Sequence, residues 1–363
     1  MKVKPWTLRE EQRLLKLYAG NPTDKLLKAL PDRTLKAIEV KARSMRIKKN
    51  FIERERKKIP FSMAIQDVLK AIKIQPLEAM PTIKAPRLQK GKGDEEEIVL
   101  LLSDFQIGHK TTSFNAEVCK KRMIYLLKSF LKIVALHRLA YPIKTLNIFL
   151  LGDFIQSEAV GYLVDLSELE MVLIDQIYKV AVPNLTWLVT ESAKNFEHVN
   201  VYCVRGNHGR GPKGSSEKTN WDDVIYRTLS CVFADNPRVK FMVASEFYQV
   251  VEIMGWRFLL AHGDQVRGGS YGIPLYALLQ RMLRWAGSLP ERWDCLCVGH
   301  WHSFAHLEQN EQELIVNGTL VSDDEYVRRT YGWNASTLQV MFGVHPRKGI
   351  TGVNRLKLKK ISL

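Results

Sequence analysis

Five short stretches of this chain carry side chains that bind metal ions or move protons. They are Asp104-Phe105-Gln106, Gly152-Asp153, Gly206-Asn207-His208, His262-Gly263-Asp264 and Gly299-His300-Trp301-His302. Carboxylates, carboxamide oxygens and imidazoles together form a donor set suited to Mn, Fe or Zn, with no thiolate in it. Taken singly, a Gly-Asp is a turn and a buried histidine is a core residue. In series, all five point to one site.

The elements that must position them are legible as apolar runs. Residues 98–102, 146–151, 199–204, 256–260 and 295–298 each run directly into one of the five stretches. Continuous apolar strands of this kind are buried on both faces. Ligands delivered at the carboxyl ends of such strands line the crevice of an open α/β sheet. Helical stretches lie between the strands, one from about residue 116 to 139. The stretch 275–285 is amphipathic, which suits either core packing or a homodimer contact. Further strands are expected within 303–342, and 353–359 alternates as an edge strand does.

In this order, the motifs resemble the calcineurin-like metallophosphoesterase superfamily, with its D-x-H, G-D, G-N-H, H and G-H-x-H signature. The resemblance covers roughly residues 97–320. It implies an α/β fold, a four-layer α-β-β-α sandwich with two mixed sheets. It also implies two divalent metal ions, Mn²⁺ first with Fe, Zn or Ni as alternatives, and attack on a phosphodiester by a hydroxide that the two metals activate. Carried over by position, Asp104, Gln106, Asp153 and His302 hold one metal. Asp153, Asn207, His262 and His300 hold the other, with Asp153 bridging. His208 stands beside the phosphate and protonates the leaving oxygen or stabilises developing charge; Asp153 and Asn207 share in the catalytic set. One position departs from the pattern, because Gln106 stands where the family has histidine. A carboxamide oxygen binds such metals more weakly than imidazole, so a looser first site is expected. His109 is either a substitute ligand or a surface-loop histidine. Asp264 either orients a ligating histidine or serves a turn.

Charge separates the rest of the chain from this body. The 54 Lys/Arg and 38 Asp/Glu give a net charge of +16. Residues 1–90 hold 23 basic and 9 acidic residues, a balance of +14; the remaining 31 and 29 give +2. A local basic excess points to an anionic polymer as partner, nucleic acid first. The segment is not a mere solubilising tail. Thr7-Leu8-Arg9-Glu10 has capping-box spacing, and Leu14, Leu17 and Tyr18 share a helical face that Gly20 can end. A second helix runs through Leu26, Leu27 and Leu30 to Pro31. A third opens near Thr34 with Leu35, Ile38, Ala42 and Met45 in register.

Trp6 and Arg33-Thr34-x-x-Ala37-Ile38 resemble a Myb/SANT-type helix-turn-helix module. That resemblance places Lys36, Val40 and Arg43, with Glu39, on a groove-facing surface, Arg43 reading guanine. It puts Lys41, Arg46, Lys48 and Lys49 on phosphates. The expected organisation is a small all-α three-helix module over 1–50, a charged and Pro-containing linker over 51–95 with a weak helix near 61–74, and a metallophosphoesterase domain over 96–363.

The loop after His208 is cationic. Either Arg210, Lys213 and Lys218 grip backbone phosphates and Trp221 stacks on a base, or this is a mobile solvated loop with a core tryptophan. A second Gly-rich stretch, 267–272, follows Asp264. The expectation is a DNA nuclease of the phage phosphoesterase type, distantly like SbcD-type repair nucleases. The alternatives are a phosphatase or nucleotide hydrolase, or a DNA-binding protein on a phosphoesterase scaffold. No run of 18 apolar residues occurs, so no membrane span is expected. Five cysteines without a C-x-x-C pair fit buried thiols in a reducing cytoplasm, that of the host if the chain is phage-encoded.

Overall fold

The computed structural model describes residues 5–18, 23–45, 80–84, 94–158, 169–211, 214–216, 219–266, 273–324, 328, 332 and 335–358. The chain divides into two compact units, 1–72 and 73–363. The expected end of the first helix at Gly20 and the weak helix near 61–74 lie outside the described residues.

The first unit holds three helices, α1 (Leu8–Leu17), α2 (Thr23–Ala29) and α3 (Leu35–Ser44). The capping box forms as the spacing predicts: Thr7 accepts from the Glu10 N–H while the Glu10 carboxylate reaches back to Thr7. Thr34 caps α3 through the Ala37 N–H. The core is small: Leu14, Leu30, Ile38 and Ala42, closed by Trp6, Tyr18 and Met45. Its polar clasp is Arg33, which donates to both Glu10 oxygens at 2.9 and 3.0 Å and lies 4.6 Å over the Trp6 ring.

That clasp predicts a pH dependence. Hydrogen bonds from Arg33 and from the Thr7 backbone hold the Glu10 carboxyl at about 2, below its ordinary 4.5. A lowered acid stabilises the fold fully above its unfolded pKa and ceases to as pH falls through the folded one. Thermal melts followed by circular dichroism are therefore expected to show an advantage of wild type over Glu10→Gln. The advantage is constant from pH 7 to 5 and vanishes between about pH 4.5 and 2. An advantage that persists below pH 2 would sink the assignment.

The second unit is a four-layer sandwich. One sheet has the order β11-β10-β1-β2-β3-β4, and the other β5-β6-β7-β9-β8. In the first, β1 (Glu97–Leu102), β2 (Thr145–Leu150), β3 (His198–Cys203) and β4 (Val239–Val243) run parallel, while β10 (Leu338–His345) is antiparallel to β1 and edge strand β11 (Gly349–Lys357) is antiparallel to β10. In the second, β6 (Trp256–Ala261), β7 (Cys295–Val298) and β9 (Gln312–Val316) run parallel, flanked by β5 (Tyr248–Ile253) and β8 (Ala305–Gln309).

The period-two alternation of β1 divides its side chains between two cores. Ile98, Leu100 and Leu102 pack against helices α4 (Ala116–Ala140), α5 (Val182–Ala193) and α6 (Trp221–Val232). Val99 and Leu101 face the second sheet, where Phe149 meets Phe258 at 5.9 Å between ring centres. The outer face of the second sheet is covered by α7 (Leu275–Ser288) through Leu278, Met282 and Trp285. The amphipathic stretch read from 275 to 285 is thus a core-packing helix. A segment upstream of β1 also belongs to this unit. Ile83 is buried in the helix-side core, with its N–H on the Glu191 carboxylate at 2.9 Å and its carbonyl on the Asn195 amide at 3.1 Å.

Candidate metal centre

Parallel strands from both sheets end at one edge. Strands β1, β2 and β3 deliver Asp104, Asp153 and the pair Asn207-His208. From the facing sheet, β6 and β7 deliver His262 and the pair His300, His302. The five sequence stretches therefore meet because five apolar strands end together.

The turns that follow the strands are strained. Asp104, Gln106, Asp153, His300 and His302 all adopt the left-handed region, with φ of 56°, 43°, 57°, 67° and 48°. A non-glycine residue there costs of order 1–3 kcal/mol and persists where its surroundings over-determine it. Here they do. The Asp104 N–H donates to the Gly152 carbonyl and the Gln106 N–H to the Asp153 carbonyl, each at 3.0 Å. Asp104 in turn accepts from the His300 N–H at 3.0 Å. The backbones approach closely at two glycines: a Cβ on Gly206 would lie 2.1 Å from Asp153 Oδ1, and one on Gly299 2.5 Å from Asp104 Oδ2.

The side chains converge with more electron pairs than protons between them. His262 donates from Nδ1 to the Leu151 carbonyl at 2.7 Å. In the neutral ring Nε2 then carries the lone pair, and it points at Asp153 Oδ2, 2.8 Å away, and at Asn207 Oδ1, 3.0 Å away. Three electron-pair donors meet there. A proton on Nε2 serves one oxygen, and Asp153 Oδ2 is left without a hydrogen bond. A cation serves all three. Donor atoms of Asp153, His262 and His300 lie within 4.8 Å of one another.

The same crowding shows in the titration of these groups. Burial works against charge on His262, but Asp153 beside it outweighs this and holds the ring at about 10, so a cation bound at Nε2 displaces a proton from it. Burial and the neighbouring His262 push His300 down to about 3. Burial likewise disfavours the Asp153 carboxylate and is outweighed by His262 and His208, which hold it below the usual range.

Beside this group, His302 Nε2 lies 3.3 Å from Asp104 Oδ1 and 3.1 Å from the Gln106 amide nitrogen. The Gln106 Oε1 atom is buried and accepts no hydrogen bond, so a cation or a donor there would satisfy it. The residues present fit a divalent ion in both places. His208 is half-buried. Its backbone N–H fixes Asp153 Oδ1 at 2.7 Å, its Nδ1 lies 3.3 Å from the Gln156 carbonyl, and its Nε2 lies 3.4 Å from the Gln106 amide nitrogen.

Two polar residues that the sequence motifs do not contain hold the turns in place. The buried Asp222 carboxylate accepts from the backbone N–H groups of Asp153, Phe154 and Gly206 at 2.9, 3.1 and 2.9 Å. Burial, then the nearby Asp153, raises its carboxyl to about 7. The buried Gln176 accepts from the Ser157 N–H at 2.9 Å, from a π-helical turn, Gln176–Ala181, that leads into α5. A helix start reading Asn220-Trp221-Asp222-Asp223 was the available signal for Asp222. Its Asn220 cap accepts from the Asp222 N–H.

The remaining expected residues fall as follows. His109 is not a surface-loop histidine: it is buried, with its N–H on the Gln106 carbonyl at 3.0 Å. Arg210 forms a hydrogen-bonded ion pair with Asp264, which links the loop after His208 to the turn after His262. Trp221 opens α6, half-buried against the helix-side core. On α3, Lys36, Val40 and Arg43 are exposed, whereas Lys41 is paired with Glu11 at 2.5 Å. Arg46, Lys48, Lys49, Lys213, Lys218 and the stretch 267–272 lie outside the described residues. No described helix is long and apolar enough to cross a membrane.

No family model matches the sequence, and no curated protein matches it. Solved structures do. A predicted phosphoesterase from Streptococcus pneumoniae TIGR4 is 11% identical, with a TM-score of 0.32, over 72% of this chain and 90% of its own. A novel archaeal phosphodiesterase is 12% identical, with a TM-score of 0.33, over 72% and 99%. Vacuolar protein sorting 29 from Cryptosporidium parvum is 18% identical, with a TM-score of 0.30, over 74% and 100%.

Proposed function

We propose that this chain is a divalent-metal-dependent phosphodiesterase that hydrolyses nucleic acid, DNA in the first place. The observation that carries the reading is the convergence of Asp153 Oδ2, Asn207 Oδ1 and the His262 lone pair, whose Nδ1 proton is already committed to Leu151. Asp153, Asn207, His262 and His300 would hold one ion, and Asp104, Gln106, Asp153 and His302 the other. The oxygen and nitrogen donors suit Mn²⁺. When bound, the ions supply Lewis acidity towards phosphoryl oxygens and a nucleophile from water at neutral pH.

The chain's own groups do the rest. The His208 backbone and the Asp222 carboxylate fix the orientation of Asp153 before substrate arrives, so no reorganisation is needed during reaction. The Gln156 carbonyl holds the Nδ1–H of His208, so the protonated ring presents its second N–H, on Nε2, to the leaving oxygen and returns to the neutral imidazole when it gives that proton. The nucleic-acid part of the proposal is supported by the balance of +14 over residues 1–90, from 23 basic and 9 acidic residues. The exposed Lys36, Val40 and Arg43 of α3 suit a helix-turn-helix contact with DNA.

The test is cleavage of linear and circular DNA, single- and double-stranded, with Mn²⁺. Wild type is expected to cut, and His208→Ala to lose about 10²–10⁴-fold in rate with its metal retained, the contribution typical of general acid catalysis. A metal-loaded enzyme that hydrolyses a small phosphodiester and no polynucleotide would replace this reading with that of a small-substrate hydrolase.

A further inference from the structure

Helix α4 follows the Asp104 turn and presents one row to solvent: Lys121, Tyr125, Lys128 and Lys132, at i, i+4, i+7 and i+11. All four are exposed. Glu117 is the one acid on the helix, and it reaches Lys121 only at 4.0 Å. Lys128 and Lys132 have no ion pair among the described residues. Elsewhere in the unit Lys144, Lys179, Lys194, Arg257 and Arg347 each pair with a carboxylate, while Lys110, Lys240 and Arg284 are exposed without one among the described residues but do not line up along one helix face. Residues 91–363 are close to neutral, with 31 basic and 29 acidic residues, so the row is a local concentration of positive charge.

The row is also aimed. The buried Arg122, on the opposite face of α4, donates to Ser322 Oγ at 2.8 Å and to the Leu320 carbonyl, while the Leu320 N–H holds the Asp104 carbonyl at 3.1 Å. The Lys121 end of the helix is thereby fastened to the segment that carries Asp104. From Lys121 to Lys132 the rise is about 16 Å at 1.5 Å per residue. That matches about five phosphates of one duplex strand at 3.4 Å each. Beyond Lys132 the exposed face becomes apolar, with Leu136 and Leu139.

We propose that this row is a phosphate-tracking surface for the stretch of polynucleotide that leads to or from the scissile bond. Lys121, Lys128 and Lys132 bind backbone phosphates, and Tyr125 lies against a sugar or an unpaired base. The inference rests on the nucleic-acid reading given above.

The experiment compares the full chain with Lys121→Gln/Lys128→Gln/Lys132→Gln, which keeps most of each side chain's stem and removes the charge. Expected is a rise of about tenfold in KM for duplex DNA at moderate salt, with kcat and hydrolysis of bis-p-nitrophenyl phosphate unchanged. The slope of log KM against log salt is expected to flatten by about 2.7, at about 0.9 for each phosphate that the variant no longer neutralises. Unchanged KM and slope overturn the proposal and redirect the row to an acidic protein or an anionic membrane. Binding of a fluorescent oligonucleotide, titrated against salt in a Lys36→Gln/Arg43→Gln background, decides the matter even if no DNA is cut. An unaltered slope there also overturns the row. Loss of polynucleotide hydrolysis in the wild type overturns only the reading on which it rests.

Discussion

Asp153→Asn is expected to abolish hydrolysis and to strip the protein of tightly held metal. The substitution keeps the volume of the side chain and an oxygen to accept the His208 N–H, now 2.7 Å from Oδ1. What it removes is the charge at Oδ2, the atom 2.8 Å from His262 Nε2. An amide nitrogen in that place would put N–H groups where a cation should be. Loss of a single outer partner of a metal ligand costs about 10–100-fold in affinity or activity. Asp153 is a charged ligand in both proposed sets, so a fall of at least about 10³-fold is expected. Metal content after dialysis, by plasma mass spectrometry, should drop alongside. A variant that kept its metal and its rate would remove Asp153 from the centre. The fold should survive, since Asp222 continues to hold the backbone N–H groups of residues 153, 154 and 206.

The second large effect is expected from a single methyl group. Gly206→Ala would place Cβ 2.1 Å from Asp153 Oδ1 and 2.4 Å from the Asp153 nitrogen. Neither atom can give way cheaply, because one is fixed by the His208 N–H and the other by Asp222. Overpacking of this kind typically costs about 1–3 kcal/mol. A displacement of about 1 Å in a reacting constellation can cost about 10²-fold in rate. The variant should therefore melt earlier and turn over about 100-fold more slowly. Gly287→Ala provides the control, since a Cβ there meets nothing within 4 Å in α7 and removes a helix glycine. It should leave activity unchanged and raise the melting temperature slightly. Equal behaviour of the two variants would show that the close approach at Gly206 does not matter.

The sequence announced the candidate ligands more clearly than their supports. Asp104, Asp153, Asn207, His262, His300 and His302 are legible because each ends an apolar strand, and strand ends of one parallel set must share an edge. Asp222 was not legible as a support. Its partners Asp153 and Gly206 stand 69 and 16 residues away, and a carboxylate in the first turn of a helix reads as a favourable dipole contact whatever else it does. The left-handed turns were hidden for a related reason: five non-glycine residues with positive φ contradict local preference and are held by contacts between strands. Arg210 shows a partner that the sequence does not announce. Its charge marks it for phosphate, yet in the fold it meets Asp264, 54 residues along the chain. In the first unit, capping spacing and apolar periodicity placed all three helices, because those signals are local and nothing distant overrides them.

Ile83 bears on how the protein can be taken apart. It lies upstream of β1, yet its side chain fills the helix-side core and its peptide group is gripped on both sides by Glu191 and Asn195. A fragment begun at the first strand, at residue 96, would open a cavity where Ile83 sat. It would also leave a buried carboxylate oxygen facing no donor, at about 1–3 kcal/mol for such a group. Separate expression of the second unit should therefore start ahead of Met80. Chimaeras that exchange the N-terminal helices should keep residues 80–84 with the body they fold against.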